Sequence, residues 1–545
     1  MKLTVAQILA EYLKDVGVRH IFGVNAHSLF DITDAVYLEP AIKFVPAQIE
    51  ISASYMATAY ARAARQLGVC LGSAGAGATN LVTGVAMAFK ESCPVLVISS
   101  EVDTDVAGKG ASSWHEVPQE EFFRPITKMG VTLRRAEEAL DVLQQAVRTA
   151  TSGRMGPVYV GIPRDLQVEA VDLPSPPWPN GHAGTQTIDS TLVDRAAEEL
   201  IHAASPTIIA GGGVHWAQCA DEVRELAELL QIPFGTTPSQ KGLISEEHPL
   251  SLGVFGFGAF PFAHKACLES DVILALGTTF SEALTLGYGH QVIPEGAKII
   301  QVDVDATEIG KSYPVHLAIV GDVKLFVQEL LARLRASGPR AAAPSERIRR
   351  IQEEKQAWRA ELARRGAPAD GPITEWQMYH ALREAIPEDT VIAVEGGTGQ
   401  FINRFFATHE AYSGGDFRPI GHGLSTAIGL KFAFPERPVL SVSGDGSFMM
   451  EMQELATAMR ENLPIVLAIV HNGAYGGMKR DQIRHYEGRV IGTDLYIPDL
   501  RTLGSAFGAH VERVERPSHL VDAIGTAFAA NKTALLDIVC PIEGI

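Results

Sequence analysis

Cysteine is scarce in this chain: five residues in 545 (Cys70, Cys93, Cys219, Cys267 and Cys540), with no Cys-x-x-Cys pair among them. That excludes a disulfide scaffold and a thiolate zinc site, and it points to reduced core thiols in a cytoplasmic protein. Positive charge is also short, 46 Lys and Arg against 64 Asp and Glu, for a net charge of −18. A balance of this sign repels phosphate backbones and anionic lipid, so neither nucleic acid nor a membrane surface is an expected partner. No targeting segment is expected, because Glu11 and Lys14 interrupt the first apolar residues. Gln66 to Phe89 lacks charge, but its centre, Ser73-Ala74-Gly75-Ala76-Gly77-Ala78-Thr79-Asn80, reads as a turn inside a buried strand-turn-helix rather than as a membrane span. Short tandem repeats are missing too. What remains is 46% apolar and 20% charged, enough for a large core and about three domains.

Uninterrupted apolar runs alternate with helical patterns. Val69–Ser73, Pro94–Ile98 and Val158–Ile162 read as strands of a parallel sheet covered on both faces. The prolines of Asp172–Gly184 mark a linker. A second unit carries Pro206–Ala210, Val272–Leu276 and Ile299–Val304, and a third carries Val391–Val394, Val439–Val442 and Ile465–Val470. Between them, Ala336–Glu346 turns to Ser, Gly, Pro and Ala, and a charged helix follows over Arg347–Arg365. The expected organisation is α/β throughout: a doubly wound domain over 1–172, a central one over 188–336, a linker with its helix over 337–371 and a third domain over 372–545. The first and third share a layout.

Chemistry concentrates in Gly444-Asp445-Gly446-Ser447, followed after twenty-three residues by His471-Asn472-Gly473-Ala474-Tyr475-Gly476. Asp445 ends an apolar strand, the place where open parallel sheets bind ligands. The next strand returns Asn472 to the same edge. A carboxylate, an amide oxygen and a loop carbonyl are hard ligands that suit Mg²⁺ bridging to a diphosphate. Zinc would call for His or Cys, and an EF-hand for alternating Asp with a later Glu.

Gly-Asp-Gly followed about two dozen residues later by Asn resembles the thiamine-diphosphate (ThDP) enzymes of the acetolactate synthase and pyruvate decarboxylase superfamily, with His471 in place of the family's first Asn. Gly399-Gln400, Gly421-His422-Gly423-Leu424, Met452–Ala458 and Gly161-Ile162-Pro163-Arg164-Asp165 extend the likeness over nearly the whole chain. The resemblance implies a pyrimidine-binding first domain, a central domain and a diphosphate-binding third domain. It implies Asp445, Asn472 and the Ala474 carbonyl as magnesium ligands. It also implies a diphosphate near Gly397, Thr398, Gly399, Gln400, Gly446 and Ser447, with Tyr475 and Gly476 beside the cofactor. Glu50, before a helix ending Tyr60-Ala61-Arg62, matches the acid that hydrogen-bonds the aminopyrimidine and favours its imino form. Ile420 matches the apolar wedge that bends the cofactor. The family further implies a homodimer or homotetramer, with active sites at the dimer interface.

Three loops then face the substrate, a small 2-oxo acid or aldehyde. They are Asn25-Ala26-His27-Ser28, Ser113-Trp114-His115-Glu116 and Ala474–Met478. His27 and His115 are candidate proton carriers, and Asn25 and Trp114 candidate substrate contacts. His115 stands where acetolactate synthases have Gln, and His27 adds bulk where they have Gly. Both departures tell against acetolactate as the product and favour a decarboxylase or lyase as much as a ligase. The expected reaction is decarboxylation of a 2-oxo acid with acyl transfer to an acceptor. Its alternatives are an aldehyde or hydroxyacyl lyase without decarboxylation, or a sulfoacetaldehyde acetyltransferase-like activity suggested by Lys479-Arg480-Asp481-Gln482. Gly211-Gly212-Gly213 leaves open a non-catalytic nucleotide- or flavin-binding protein. However, Thr278-Thr279-Phe280-Ser281-Glu282 replaces the Arg and Asp-Asp-Arg of flavin-containing relatives, so FAD is not expected.

Overall fold

The computed structural model describes residues 1–178, 187–336 and 345–542. Parts of both expected linkers, 179–184 and 337–344, lie outside the described residues. Three six-stranded sheets organise the chain, and every pairing within them is parallel. The first runs, edge to edge, Lys43–Pro46, His20–Gly23, Gly68–Gly72, Val95–Glu101, Val158–Pro163 and Met129–Thr132. The second runs Ser251–Val254, Phe234–Thr236, Thr207–Ala210, Val272–Leu276, Lys298–Asp303 and Leu317–Val320. The third runs Ala411–Ser413, Val391–Val394, Val439–Gly444, Ile465–His471, Ala534–Val539 and His510–Val514. With helices on their faces these are three doubly wound α/β domains. A short antiparallel pair, Lys2–Thr4 with Ala170–Asp172, ties the two ends of the first domain together.

The inner strands form because their side chains are apolar on both faces, as in Val95-Leu96-Val97-Ile98, all fully buried. All five cysteines are buried thiols, and none is in a disulfide. Among the described residues no helix is long and apolar enough to cross a membrane. The uncharged stretch after Gln66 becomes the strand Gly68–Gly72, a turn with Gly75 at φ +68°, and the helix Ala76–Lys90.

The first and third domains share one core. The helix Glu50–Ala64 is Ala-rich and buried along almost its whole length, and it ends at Arg65 in the left-handed conformation. It lies against the helix Gly423–Ala433 of the third domain so closely that a β-carbon at Gly429 would overlap the Met56 carbonyl. Small residues permit this approach, and the apolar cluster around it runs from Phe22 to Leu535. The charged helix of the sequence spans Glu346–Gly366, with Ser345 capping its start through the Ile348 N–H.

Candidate active site

Three adjacent strands of the third sheet deliver the chemistry to one edge. Val391–Val394, Val439–Gly444 and Ile465–His471 pair in register and lead, respectively, into Glu395-Gly396, Asp445 and Asn472. Asp445 opens a helix and is 1% exposed. Its Oδ2 accepts the N–H groups of Asn472 (2.9 Å) and Gly473 (2.6 Å), and its Oδ1 accepts that of Gly446 (2.8 Å). The carboxylate thereby fixes the loop from the neighbouring strand. Asn472 Oδ1 in turn accepts the Ala474 N–H at 3.1 Å. Residues 493–495 hold the outer side of this loop through Tyr475 N to Thr493 O and Leu495 N to Gly473 O, both 2.8 Å. Gly476 has room for the Asn472 amide, which a β-carbon there would meet at 2.9 Å. Gly446 makes room for Tyr475 and Leu495, whereas open space lies beside Gly396, Gly397 and Gly444.

Burial pushes the Asp445 carboxyl above the usual range, while its three backbone donors pull it back. Beside it, His471 is raised chiefly by its Nδ1 contact with Asp537 Oδ1 at 2.6 Å. Asp537 is fully buried and also takes Arg513 at 2.7 Å. The family's first Asn is thus replaced by a His–Asp–Arg chain inside the sheet.

Two further carboxylates define the start of the helix Gly423–Ala433. Glu395 accepts the N–H groups of Gly421, His422 (3.2 Å) and Gly423 (3.0 Å), and Glu451 accepts those of Leu424 (2.7 Å) and Ser425 (2.9 Å). Both are buried, and Glu451 is driven well up by burial and by Glu395. They satisfy the orphan donors of a buried helix end. Half-buried Ile420 precedes Gly421, which has φ +80° and packs on Met450. His422 is buried, its Nδ1 is 3.0 Å from Thr426 Oγ1, and burial holds its imidazole below the usual value. Thr398 Oγ1 donates to the Glu395 carbonyl at 2.6 Å, which fixes the turn Gly396–Thr398. Gln400 and Ser447 are half-exposed on the same edge.

On the first domain, Glu50 is 9% exposed at the first position of its helix. Its Oε2 accepts Asn80 Nδ2 at 3.0 Å, and Oε1 lies against Gly77. The neighbouring turn is held from below by Gln119, which accepts the Gly75 N–H and donates to Ser100 O (3.0 Å) and Tyr159 OH (3.2 Å). His115 has φ +65°, is exposed, and rests its backbone on Gly75. Trp114 beside it is 88% exposed. His27 is exposed, 5.0 Å from the Phe30 ring, and Asn25 Oδ1 accepts the Ala26 N–H (2.9 Å) and the Thr33 hydroxyl (3.3 Å). Within one chain the structure gathers Asp445, Asn472, Ala474 and the 396–400 turn on one edge. The side-chain hydrogen bond of Glu50 stays within its own domain. Lys479 and Arg480 are paired with Asp494 (2.6 Å) and Glu375 (3.5 Å). The sequence reading missed Asn80, Gln119, Glu395, Glu451 and Asp537, polar residues with no motif around them.

The residues fit Mg²⁺ and a diphosphate. The Ala474 carbonyl belongs to a buried residue and accepts no hydrogen bond among the described residues, so it is an oxygen in want of a partner. Asp445 and Asn472 each keep lone pairs after their backbone bonds. No cluster of three or more His, Cys, Asp or Glu side chains suited to a metal occurs among the described residues. A site with one carboxylate leaves the remaining positions to amide, carbonyl and diphosphate oxygens, as Mg²⁺ favours.

Comparison with known proteins matches the three α/β domains. Residues 3–124 match the N-terminal TPP binding domain of thiamine pyrophosphate enzymes, 193–330 their central domain and 396–538 their C-terminal TPP binding domain. The chain is 32% identical to a probable acetolactate synthase large subunit of Methanocaldococcus jannaschii, covering 99% of this chain and 92% of the relative. It is 32% identical to an acetolactate synthase of Mycobacterium bovis (97% and 87%) and 30% identical to an acetolactate synthase large subunit of Haemophilus influenzae (98% and 94%). The chain belongs to the thiamine pyrophosphate enzyme family, in its acetolactate synthase-like group.

Proposed function

We propose that this enzyme uses ThDP and Mg²⁺ to decarboxylate a 2-oxo acid and transfer the acyl unit to an acceptor carbonyl. The observation that carries the reading is the set of three oxygens, from Asp445, Asn472 and Ala474, at one sheet edge beside the open Gly396–Gly397 turn. Bound ThDP supplies a carbon nucleophile and an electron sink for the bond that breaks next to the carbonyl. The chain's residues do the rest. Asp445, Asn472 and the Ala474 carbonyl hold the metal. Thr398, Gly399, Gln400, Gly446 and Ser447 surround the diphosphate, with Tyr475 and Gly476 alongside. Ile420 sets the bend between the rings. Glu50 holds a proton at the pyrimidine ring, with Asn80 keeping its second oxygen in place. His27 and His115 move protons at the substrate, beside Asn25 and Trp114.

In this reading the first domain (1–172) presents Glu50 to the third domain (372–545) of a second copy, while the central domain (188–336) and linker (337–371) join the two in sequence. Large apolar side chains left exposed near both halves, Trp114 at 88% and Tyr496 at 89%, support a homodimer at least. The five buried thiols support a cytoplasmic location. The exposed imidazoles of His27 and His115 favour a second reading, an aldehyde lyase or carboligase. Incubation with pyruvate separates the two: release of carbon dioxide supports the first, and inertness toward every 2-oxo acid tried supports the second. Glu50→Gln is expected to bind ThDP with Mg²⁺ in calorimetry and to lose turnover; unchanged turnover would remove the mechanism.

A further inference from the structure

A cleft of about 260 Å³ lies where the central domain, the third domain and the helix Glu346–Gly366 meet. Its walls carry Lys355, Arg359, Arg383 and Arg404 against only two carboxylates, Glu246 and Glu247. Both carboxylates are already engaged. Glu246 is held by buried Lys241 at 2.5 Å, and Glu247 by Arg359 at 2.7 Å, with Arg383 at 4.0 Å. Lys355 donates to the carbonyls of Glu246, His248 (3.0 Å) and Ser251 (3.1 Å), which satisfy its protons, and its charge is shared between Glu246 and Glu247 and the like charges of Arg359 and Lys241. His380 is turned to Glu384 at 3.2 Å.

Arg404 is the unmatched group. Among the described residues its side chain makes no hydrogen bond or ion pair, and its Nε is buried without a partner. Burial, then the like charge of Arg365, holds its guanidinium below the usual value. A half-buried guanidinium without a counter-charge is costly, and a cleft with surplus cations in a chain of net charge −18 is not a general surface property. The same cleft is lined by apolar Leu252, Phe260, Phe262, Leu362 and Phe405.

We propose that this cleft binds a small organic anion, with a phosphate or carboxylate head on Arg404 and a compact apolar body against Phe260, Phe262 and Phe405. Arg404 has the planar fork that suits either head group. It also sits on the seven-residue helix Gly399–Phe405, whose first residues, Gly399 and Gln400, are assigned above to the diphosphate. On that assignment the anion acts on the cofactor turn through one rigid element.

The test uses the full chain loaded with ThDP and Mg²⁺, titrated calorimetrically with phenyl phosphate, phenylacetate and inorganic phosphate. Saturable binding of one phenyl compound per chain is expected, about tenfold or more tighter than inorganic phosphate. Which phenyl compound binds identifies the head group. Arg404→Gln is expected to weaken that binding at least about tenfold. It should melt no lower than the unaltered protein, since the guanidinium has no partner to lose. Arg383→Gln, also in the lining, is the second variant and is expected to weaken the binding as well. Absence of saturable binding by all three compounds, or equal affinity in Arg404→Gln, would overturn the proposal. Cofactor loading is measured separately, so this failure and failure of the ThDP reading are distinguishable.

Discussion

Glu50 Oε1 lies where Gly77 has no side chain: a β-carbon at 77 would stand 2.8 Å from that oxygen and 2.5 Å from Ser73 Oγ. The start of the helix Ala76–Lys90 is therefore shaped around a carboxylate that begins another helix of the domain. Gly77→Ala should swing Glu50 away from Asn80 and lower turnover by about tenfold or more, at a stability cost of about 1–3 kcal/mol. Steady-state kinetics and a thermal melt check both parts. A variant with wild-type turnover would show that the position of Glu50 is not critical.

If Glu50 serves a cofactor bound to the third domain of a second copy, two inactive variants should rescue each other. Glu50→Gln and Asp445→Asn, co-expressed with different affinity tags, would form mixed dimers with one intact site and one doubly altered site. Random pairing gives about a quarter of the unaltered activity. Mixed dimers without activity would instead place both residues of each site in one chain.

If Mg²⁺ holds the diphosphate as proposed, its removal should release the cofactor. Chelation is expected to weaken ThDP binding, and Asn472→Ala to do so at fixed Mg²⁺ by about tenfold, with little change in melting temperature. Asp445→Ala should also destabilise the fold, because the N–H groups of Gly446, Asn472 and Gly473 lose their acceptor. Calorimetry on each variant, with and without Mg²⁺, separates metal loss from unfolding.

The strands that could be read from sequence are those buried on both faces. Val272–Leu276 and Val391–Val394 were expected with the bounds they have. Edge strands were not legible, because one side of each is half-wet. Leu317–Val320 alternates buried and exposed positions, and His510–Val514 mixes charged with apolar residues. At the candidate site, the juxtaposition of Asp445 and Asn472 was legible because each follows an apolar strand and is flanked by glycine. Glu395 and Glu451 were not. A Glu among apolar residues reads as a surface position until the helix end it caps is seen, and that end is 26 to 28 residues away for each of the contacts at Gly421, Gly423 and Leu424.

Acid should loosen the contacts between domains. His20, between the rings of Tyr60 (5.1 Å) and Phe432 (4.9 Å), is lowered to about 4, first by burial and then by Lys43 and Arg19. His215, whose Nε2 lies 3.0 Å from the Arg62 carbonyl, is lowered to about 3, first by burial and then by Arg62. Both stay neutral when folded, whereas unfolded histidine takes up its proton near pH 6.5. The unfolded chain therefore binds more protons below about pH 6.5, and stability falls as pH drops from there toward the folded values. Urea midpoints measured from about pH 7 to about pH 4 should decline, and His20→Phe should flatten the decline.

The mouth of the central sheet is a poor seat for a dinucleotide diphosphate. Glu91, Asp303, Asp322 and Asp416 line it against Lys90 and Arg154, and Arg154 is already paired with Glu308. Burial lifts the Asp303 carboxyl to about 6. The purified protein should lack the visible absorbance of a flavin and take up none when FAD is added. A stoichiometric yellow preparation would contradict this.

The tight seating of Met56 on Gly429 has a consequence for how molecules enter. With the first and third domains of a chain fused along that seam, jaw-like opening between them is barred. Any motion that admits reactants then has to arise elsewhere than at this seam.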